Sequence, residues 1–161
     1  MATMAGAERE RSSEAERGTA GSSVMAVDYG KKRIGLAVAN EAGRVAGPLT
    51  SIERKNRRED LRRLREIVRE HGVRQIVVGH PLRLDGTRSE MALEAERFAE
   101  RLQKHIGVPV ELVDERLTSW EAEQLLSRKK GERKKGGSEV DAVAAAVILR
   151  DYLASKTEER R

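Results

Sequence analysis

VMAVDYGKKRIGLAVA, residues 24–39, holds two short apolar runs separated by Tyr29–Lys32. Val24–Asp28 reads as a buried strand that ends in an acid, and Arg33–Ala39 reads as a second strand. The linking residues include Gly30 and are few enough for a hairpin. Gly43–Ile52 carries a third strand, in which Pro48 predicts an edge or a break because proline donates no ladder hydrogen bond. The opening of the folded unit is therefore an antiparallel meander.

Further along, helices and strands alternate. Arg57–His71 has an apolar stripe of Leu61, Leu64, Ile67 and Val68, with Arg and Glu opposite, and Gly72 as its C-terminal stop. Arg74–Gly79 is a buried strand. Arg88–Ile106 is a second helix, with Met91, Ala95, Phe98, Leu102 and Ile106 at helical spacing, and Gly107 ends it. Val108–Val113 is a fifth strand, Ser119–Ser127 a third helix, and Glu139–Leu153 a fourth that is apolar almost all round and so is predicted to be buried on more than one side. Asn56-x-x-Glu59, Thr87-x-x-Glu90, Thr118-x-x-Glu121 and Ser138-x-x-Asp141 each match or approximate a capping box at a predicted helix start. Strands that alternate with helices pair in parallel. The expected fold is α/β and ribonuclease H-like: a five-stranded mixed sheet, three strands antiparallel and two parallel, flanked by helices.

Composition narrows the function. The 161 residues favour one domain. Residues 1–23 hold almost no large apolar side chain and are expected to be a disordered extension, because they cannot repay their ordering entropy. Glu8, Glu10, Glu14 and Glu16 argue against a transit peptide. Residues 24–154 form the expected folded domain, and 155–161 read as a charged tail. With no cysteine, disulfides, zinc–cysteine sites and thiol chemistry are excluded. No apolar run approaches the ~18 residues of a membrane span. Trp120, Tyr29, Tyr152 and Phe98 are the only aromatics, too few for a base-stacking platform. Net charge is +5, a modest excess whose distribution matters more than its size.

Three carboxylates stand out. Asp28 closes the first strand, Glu115 lies just past the fifth, and Asp141 opens the last apolar helix. If those elements meet at one sheet edge, their oxygens form a donor set without His or Cys, suited to a hard cation such as Mg²⁺ or Mn²⁺. Two such ions serve phosphodiester hydrolysis by activating water and stabilising the leaving oxygen. Each acid also fits a plainer role: Asp28 as a turn residue, Glu115 as a surface partner of Arg116, Asp141 as the capping acid of Ser138. Strand alternation sends Asp114 and Glu115 to opposite faces, and spacing alone does not say which faces the site. Asp85, before Gly86, reads as a turn residue, and His80 as a residue that could line the cleft.

Basic residues cluster beside the acids. Lys31, Lys32 and Arg33 follow Asp28, and residues 128–135 (RKKGERKK) lead towards Asp141. In that run Arg128, Lys129, Lys130, Arg133, Lys134 and Lys135 suit a polyanion, although a solvated linker has the same composition. The arginines of 57–70 are largely balanced by Glu59, Asp60, Glu66 and Glu70 and read as an ordinary solvated face.

Four segments resemble one family in order and spacing: residues 28–37 (DYGKKRIGLA), 77–82 (VVGHPL) with Asp85–Thr87, 114–119 (DERLTS) and 141–149 (DAVAAAVIL). Together they are similar to the YqgF (RuvX) family, described both as Holliday-junction resolvases and as pre-16S rRNA nucleases. The resemblance covers residues 24–153 and implies a ribonuclease H-like fold, a bacterial cytoplasmic location and metal-dependent phosphodiester cleavage. It further implies that Asp28, Glu115 and Asp141 are the catalytic and metal-binding residues, and that the substrate is precursor 16S rRNA at its 5′ end. A four-way DNA junction is the alternative substrate. Arg116 joins the basic segments as an expected nucleic-acid contact. Two other classes compete: a nucleotide-handling enzyme of the actin and sugar-kinase type, which needs two such domains, and a non-catalytic RNA-binding module of ribosome assembly. The sequence carries no signal for an oligomeric state.

Overall fold

The computed structural model describes residues 23–40, 46–115 and 137–159. Its strands are β1 (Ser23–Tyr29), β2 (Arg33–Asn40), β3 (Ala46–Glu53), β4 (Val73–His80) and β5 (Val110–Asp114). Its helices are α1 (Arg57–Glu70), α2 (Glu90–Ile106) and α3 (Gly137–Glu159). One sheet forms in the order β3-β2-β1-β4-β5. β1–β2 and β2–β3 are antiparallel, β1–β4 and β4–β5 parallel, which is the mixed sheet expected. Pro48 sits in the edge strand β3, and the register shifts beside its partner Ala37, so the proline is accommodated by an irregularity in the ladder.

Alternation divides the sheet into two faces. Met25, Val27, Ile34, Leu36, Ile76 and Val78 pack with Leu64, Phe98 and Leu102 of α1 and α2. Val24, Ala26, Ala37, Ala39 and Val77 pack with Ala145, Ile148 and Leu149 of α3. Small strand residues let α3 lie close on the second face. This helix carries buried residues over a broad arc, Ala142, Ala144, Ala145, Val147, Ile148 and Leu149, while Val140 and Val143 remain exposed. It extends to Glu159, so helical backbone reaches into the stretch read as a charged tail.

One cap is as expected and two are not. The Asn56 side chain accepts from the Glu59 N–H. α2 starts later than Arg88, and Ser89 rather than Thr87 caps it by accepting from Ala92 N–H. Thr87 is instead engaged by Asp85, whose Oδ1 accepts from both the Thr87 N–H and its hydroxyl; this is the turn role expected of Asp85. Ser138 already lies inside α3, so it cannot be the residue that precedes the helix. The helix expected over Ser119–Ser127 and its Thr118 cap lie outside the described residues, as does the N-terminal extension up to residue 22.

Candidate active site

Asp28 falls in phase with Val24 and Ala26 and therefore faces α3. Its antiparallel partner is Gly35. Val27 pairs with Val78 in the parallel neighbour, so continuation of that register sets Asp28 beside Gly79. Gly35, Asp28 and Gly79 thus form a row across three strands, each about 4.8 Å from the next.

The flanking glycines are what admit the other two acids. A Cβ on Gly35 would stand 2.0 Å from the backbone oxygen of Asp141 and 3.0 Å from its Cβ, so α3 meets β2 where β2 has no side chain. A Cβ on Gly79 would stand 2.3 Å from Glu115 Oε1 and 2.8 Å from Ile148 Cδ1. The Glu115 carboxylate therefore lies over β4, on the α3 face. Its backbone N–H donates to the His80 carbonyl at 3.2 Å, prolonging the β4–β5 ladder one residue past β5. Asp114, paired with His80, falls in the other phase and is exposed. Of the two neighbours, Glu115 rather than Asp114 shares the α3 face with Asp28.

Asp28 holds its proton more tightly than an ordinary carboxyl. Burial, and secondly the nearby Asp141 charge, push its pKa from 3.8 up to about 6. No hydrogen bond reaches its carboxylate among the described residues. Asp141 is held differently: Arg33 Nε donates to its Oδ2 at 2.7 Å, in a pair that is about one-third exposed. Arg33, expected as a phosphate contact, is thus placed on the carboxylate. Lys31 and Lys32 are exposed at the adjoining turn. Arg116, Arg128, Lys129, Lys130, Arg133, Lys134 and Lys135 lie outside the described residues. His80 faces away from the acids: its Nε2 is 3.5 Å from Glu96 Oε2 on α2, on the opposite face of the sheet, because His80 is in phase with Ile76 and Val78. It does not line this site.

Among the described residues no three carboxylate or imidazole groups form a ready-made metal cage. The donors nonetheless fit a hard divalent cation. They are carboxylate oxygens only, and the central one is buried, electrostatically disfavoured and without a hydrogen-bond donor, the condition that a bound cation relieves. Sequence reasoning singled out the acids but not the two glycines, whose signal was a small residue interrupting each of two apolar strands at the level of an acid.

Among the described residues no helix is long and apolar enough to cross a membrane. The chain is 42% identical over 137 residues to a protein of Syntrophus aciditrophicus named "Putative pre-16S rRNA nuclease", covering 85% of this chain and 91% of the relative. A protein of the same name from Anaeromyxobacter sp. (strain K) is 46% identical over 129 residues, 80% of this chain and 94% of that one. Among solved structures, RuvC of T. thermophilus in complex with a Holliday junction substrate superposes with a TM-score of 0.51 at 17% identity, covering 84% of this chain and 95% of that one, a likeness of fold. The family model for RuvX, described as Holliday junction resolvase, matches residues 22–155, and the chain belongs to the RuvX family.

Proposed function

We propose that this chain is a metal-dependent endonuclease of precursor 16S rRNA, acting at its 5′ end in the cytoplasm, with residues 24–154 as the working domain. The observation that carries the reading is the Asp28 carboxylate, largely withdrawn from solvent in a strand and flanked by two acids that glycines admit to the same face. Gathering three partly buried acids on one face costs stability, and a phosphate-cleaving role accounts for the arrangement. The names of the relatives support the substrate.

Asp28, Glu115 and Asp141 would hold Mg²⁺ or Mn²⁺. When bound, the cation supplies positive charge to the scissile phosphate and lowers the pKa of the attacking water. The protein's own groups do the positioning. Arg33 fixes the orientation of Asp141 through the 2.7 Å bond. Glu115 is held over Gly79 by the ladder bond to His80. Lys31 and Lys32, exposed beside Asp28, draw in the backbone phosphates. The basic run 128–135 would do the same. Asp28 keeps its proton up to about pH 6, so cation loading and cleavage rise through that range.

The test is cleavage of a precursor 16S rRNA 5′-region fragment with Mn²⁺, with Mg²⁺ and with chelator, beside the Asp28→Asn variant. Metal-dependent cleavage by the natural sequence, at least a hundredfold faster than by Asp28→Asn, is expected. Equal cleavage by both proteins defeats the reading. The family description also names a Holliday junction, so a four-way DNA junction runs as the second substrate.

A further inference from the structure

On the face of the sheet opposite the acids, at the same end, a cavity of about 310 Å³ opens between β1, the start of α1 and the middle of α2. Lys31, Arg54, Lys55, Arg57 and Arg101 line it, with Asp60 as the only acid. Asp60 is buried and accepts from the Lys55 backbone N–H, so its carboxylate is engaged in local structure. Some arginines elsewhere have carboxylate partners, Arg33 with Asp141, Arg62 with Glu59 and Glu66, Arg88 with Glu96, while Arg63 and Arg65 donate to backbone carbonyls. None of the five cavity cations has a carboxylate within ion-pair distance among the described residues.

Arg54 is held by the most contacts among them. Its Nη1 donates to the carbonyls of Gly30 and Lys31 at 2.9 and 3.0 Å, and its guanidinium lies 4.4 Å from the Tyr29 ring centroid. Tyr29 in turn stacks on Phe98 at 4.1 Å. Both Tyr29 ring faces are therefore used, one by Phe98 and one by Arg54, which leaves neither for a nucleobase. The Nε and Nη2 edge of Arg54 has no acceptor among the described residues. A guanidinium fixed along one edge and open along the other is pre-organised for two parallel hydrogen bonds to an oxyanion.

We infer that this cavity is a phosphate site for the nucleic acid strand, seating a phosphate group other than the one at the carboxylates. The inference rests on the nuclease reading. Tyr29 follows Asp28 and points to the other face, so the two sites are back to back across one strand. A strand crossing the end of the sheet can place the scissile phosphate on the acidic face and a neighbouring phosphate on the basic one. That second grip fixes the direction and register of the strand without reading bases. The phosphate is either internal to the backbone or a terminal 5′-monophosphate.

The test measures binding of a 3′-labelled single-stranded RNA oligonucleotide to the full chain, in chelator so that nothing is cut. It compares 5′-phosphorylated and 5′-hydroxyl forms over a range of salt. Arg101→Glu and Lys55→Glu are set against Arg74→Glu, which makes the same charge change on an exposed residue at the far end of the sheet. Each cavity variant is expected to weaken binding at least tenfold, and Arg74→Glu less than threefold. The cavity variants also flatten the salt dependence by about one unit of log–log slope. If the loss falls equally on both RNA forms, the site takes a backbone phosphate. If only the 5′-phosphorylated form binds more tightly and the variants erase that advantage, it takes a terminal one. Equal weakening by cavity and control variants overturns the site while leaving the nuclease reading intact. Failure of the natural sequence to bind either RNA overturns both.

Discussion

The sheet face under α1 and α2 carries Met25, Ile34, Leu36 and Ile76, all fully buried, and meets Leu64 and Leu102 there. The face under α3 carries Ala26, Ala37 and Ala39 in its core, with Gly35 and Gly79 at its charged end. Large side chains hold two layers apart and fill the gap, so the first face contributes most of the apolar burial. Small ones let a helix backbone come down onto the strands, so the second face sets distances between functional groups. On the proposed function, the bulk of the apolar core and the three acids thus lie on opposite sides of one sheet, and substitutions should separate their effects.

The largest stability effect is expected on the thick face. Leu64→Ala opens a cavity at a fully buried position and should destabilise the fold by about 2–5 kcal/mol in chemical denaturation. Cleavage per folded molecule should stay within about twofold; a much larger loss would break the division of labour. On the thin face Gly35→Ala is expected to destabilise by about 1–3 kcal/mol, since its methyl group meets the Asp141 backbone and α3 must shift. Activity should fall far more than that suggests, on the order of a hundredfold, because a displacement of about 1 Å at a reacting group is that costly. Normal cleavage by a well-folded Gly35→Ala would remove the reason given for this glycine.

Asp28→Asn sharpens the comparison by reversing the usual sign. The folded pKa of Asp28, about 6, stands above its ordinary 3.8, so the fold binds the proton more tightly than the unfolded chain does. The contribution of Asp28 to stability is then greatest below pH 4, falls as pH rises towards 6, and is level above. The amide lacks the buried charge. At pH 7 Asp28→Asn should be more stable than the natural sequence by about 1–3 kcal/mol, a gain that shrinks to nothing near pH 4. Thermal melts at the two pH values, with and without Mn²⁺, measure this; the cation should raise the melting temperature of the natural sequence and leave the variant unchanged. The smallest effect belongs to the solvent side of α1. Arg62 bridges Glu59 and Glu66 there, yet Arg62→Ala should shift stability by no more than about 1 kcal/mol, because water and salt already screen such pairs.

Much of this was legible from residue order. Apolar runs and helical stripes marked the five strands and the three described helices, and the switch from meander to alternation marked where the sheet turns parallel. The three acids were legible because each interrupts or borders an apolar element. What escaped depends on which partner a side chain takes, whether near or far in sequence. Thr87 looked like a cap until Asp85, two residues away, engaged it. Arg33 looked like a phosphate contact, whereas its partner lies 108 residues further on. Arg57 looked like part of a solvated face, yet it borders a cavity to which β1, the β1–β2 turn and α2 also contribute. Local patterns specify elements; a pocket assembled from four segments has no local pattern.

That separation of 108 residues between Arg33 and Asp141 also sets a clock. A ribosome adding about 5–20 residues per second needs roughly 5–20 s to pass from one to the other. Throughout that interval the residues of β1 and β2 exist without the helix that packs on them. On the proposed function, the growing polypeptide carries Asp28, and later Glu115, without Asp141, so the set of acids is complete only after α3 has been synthesised.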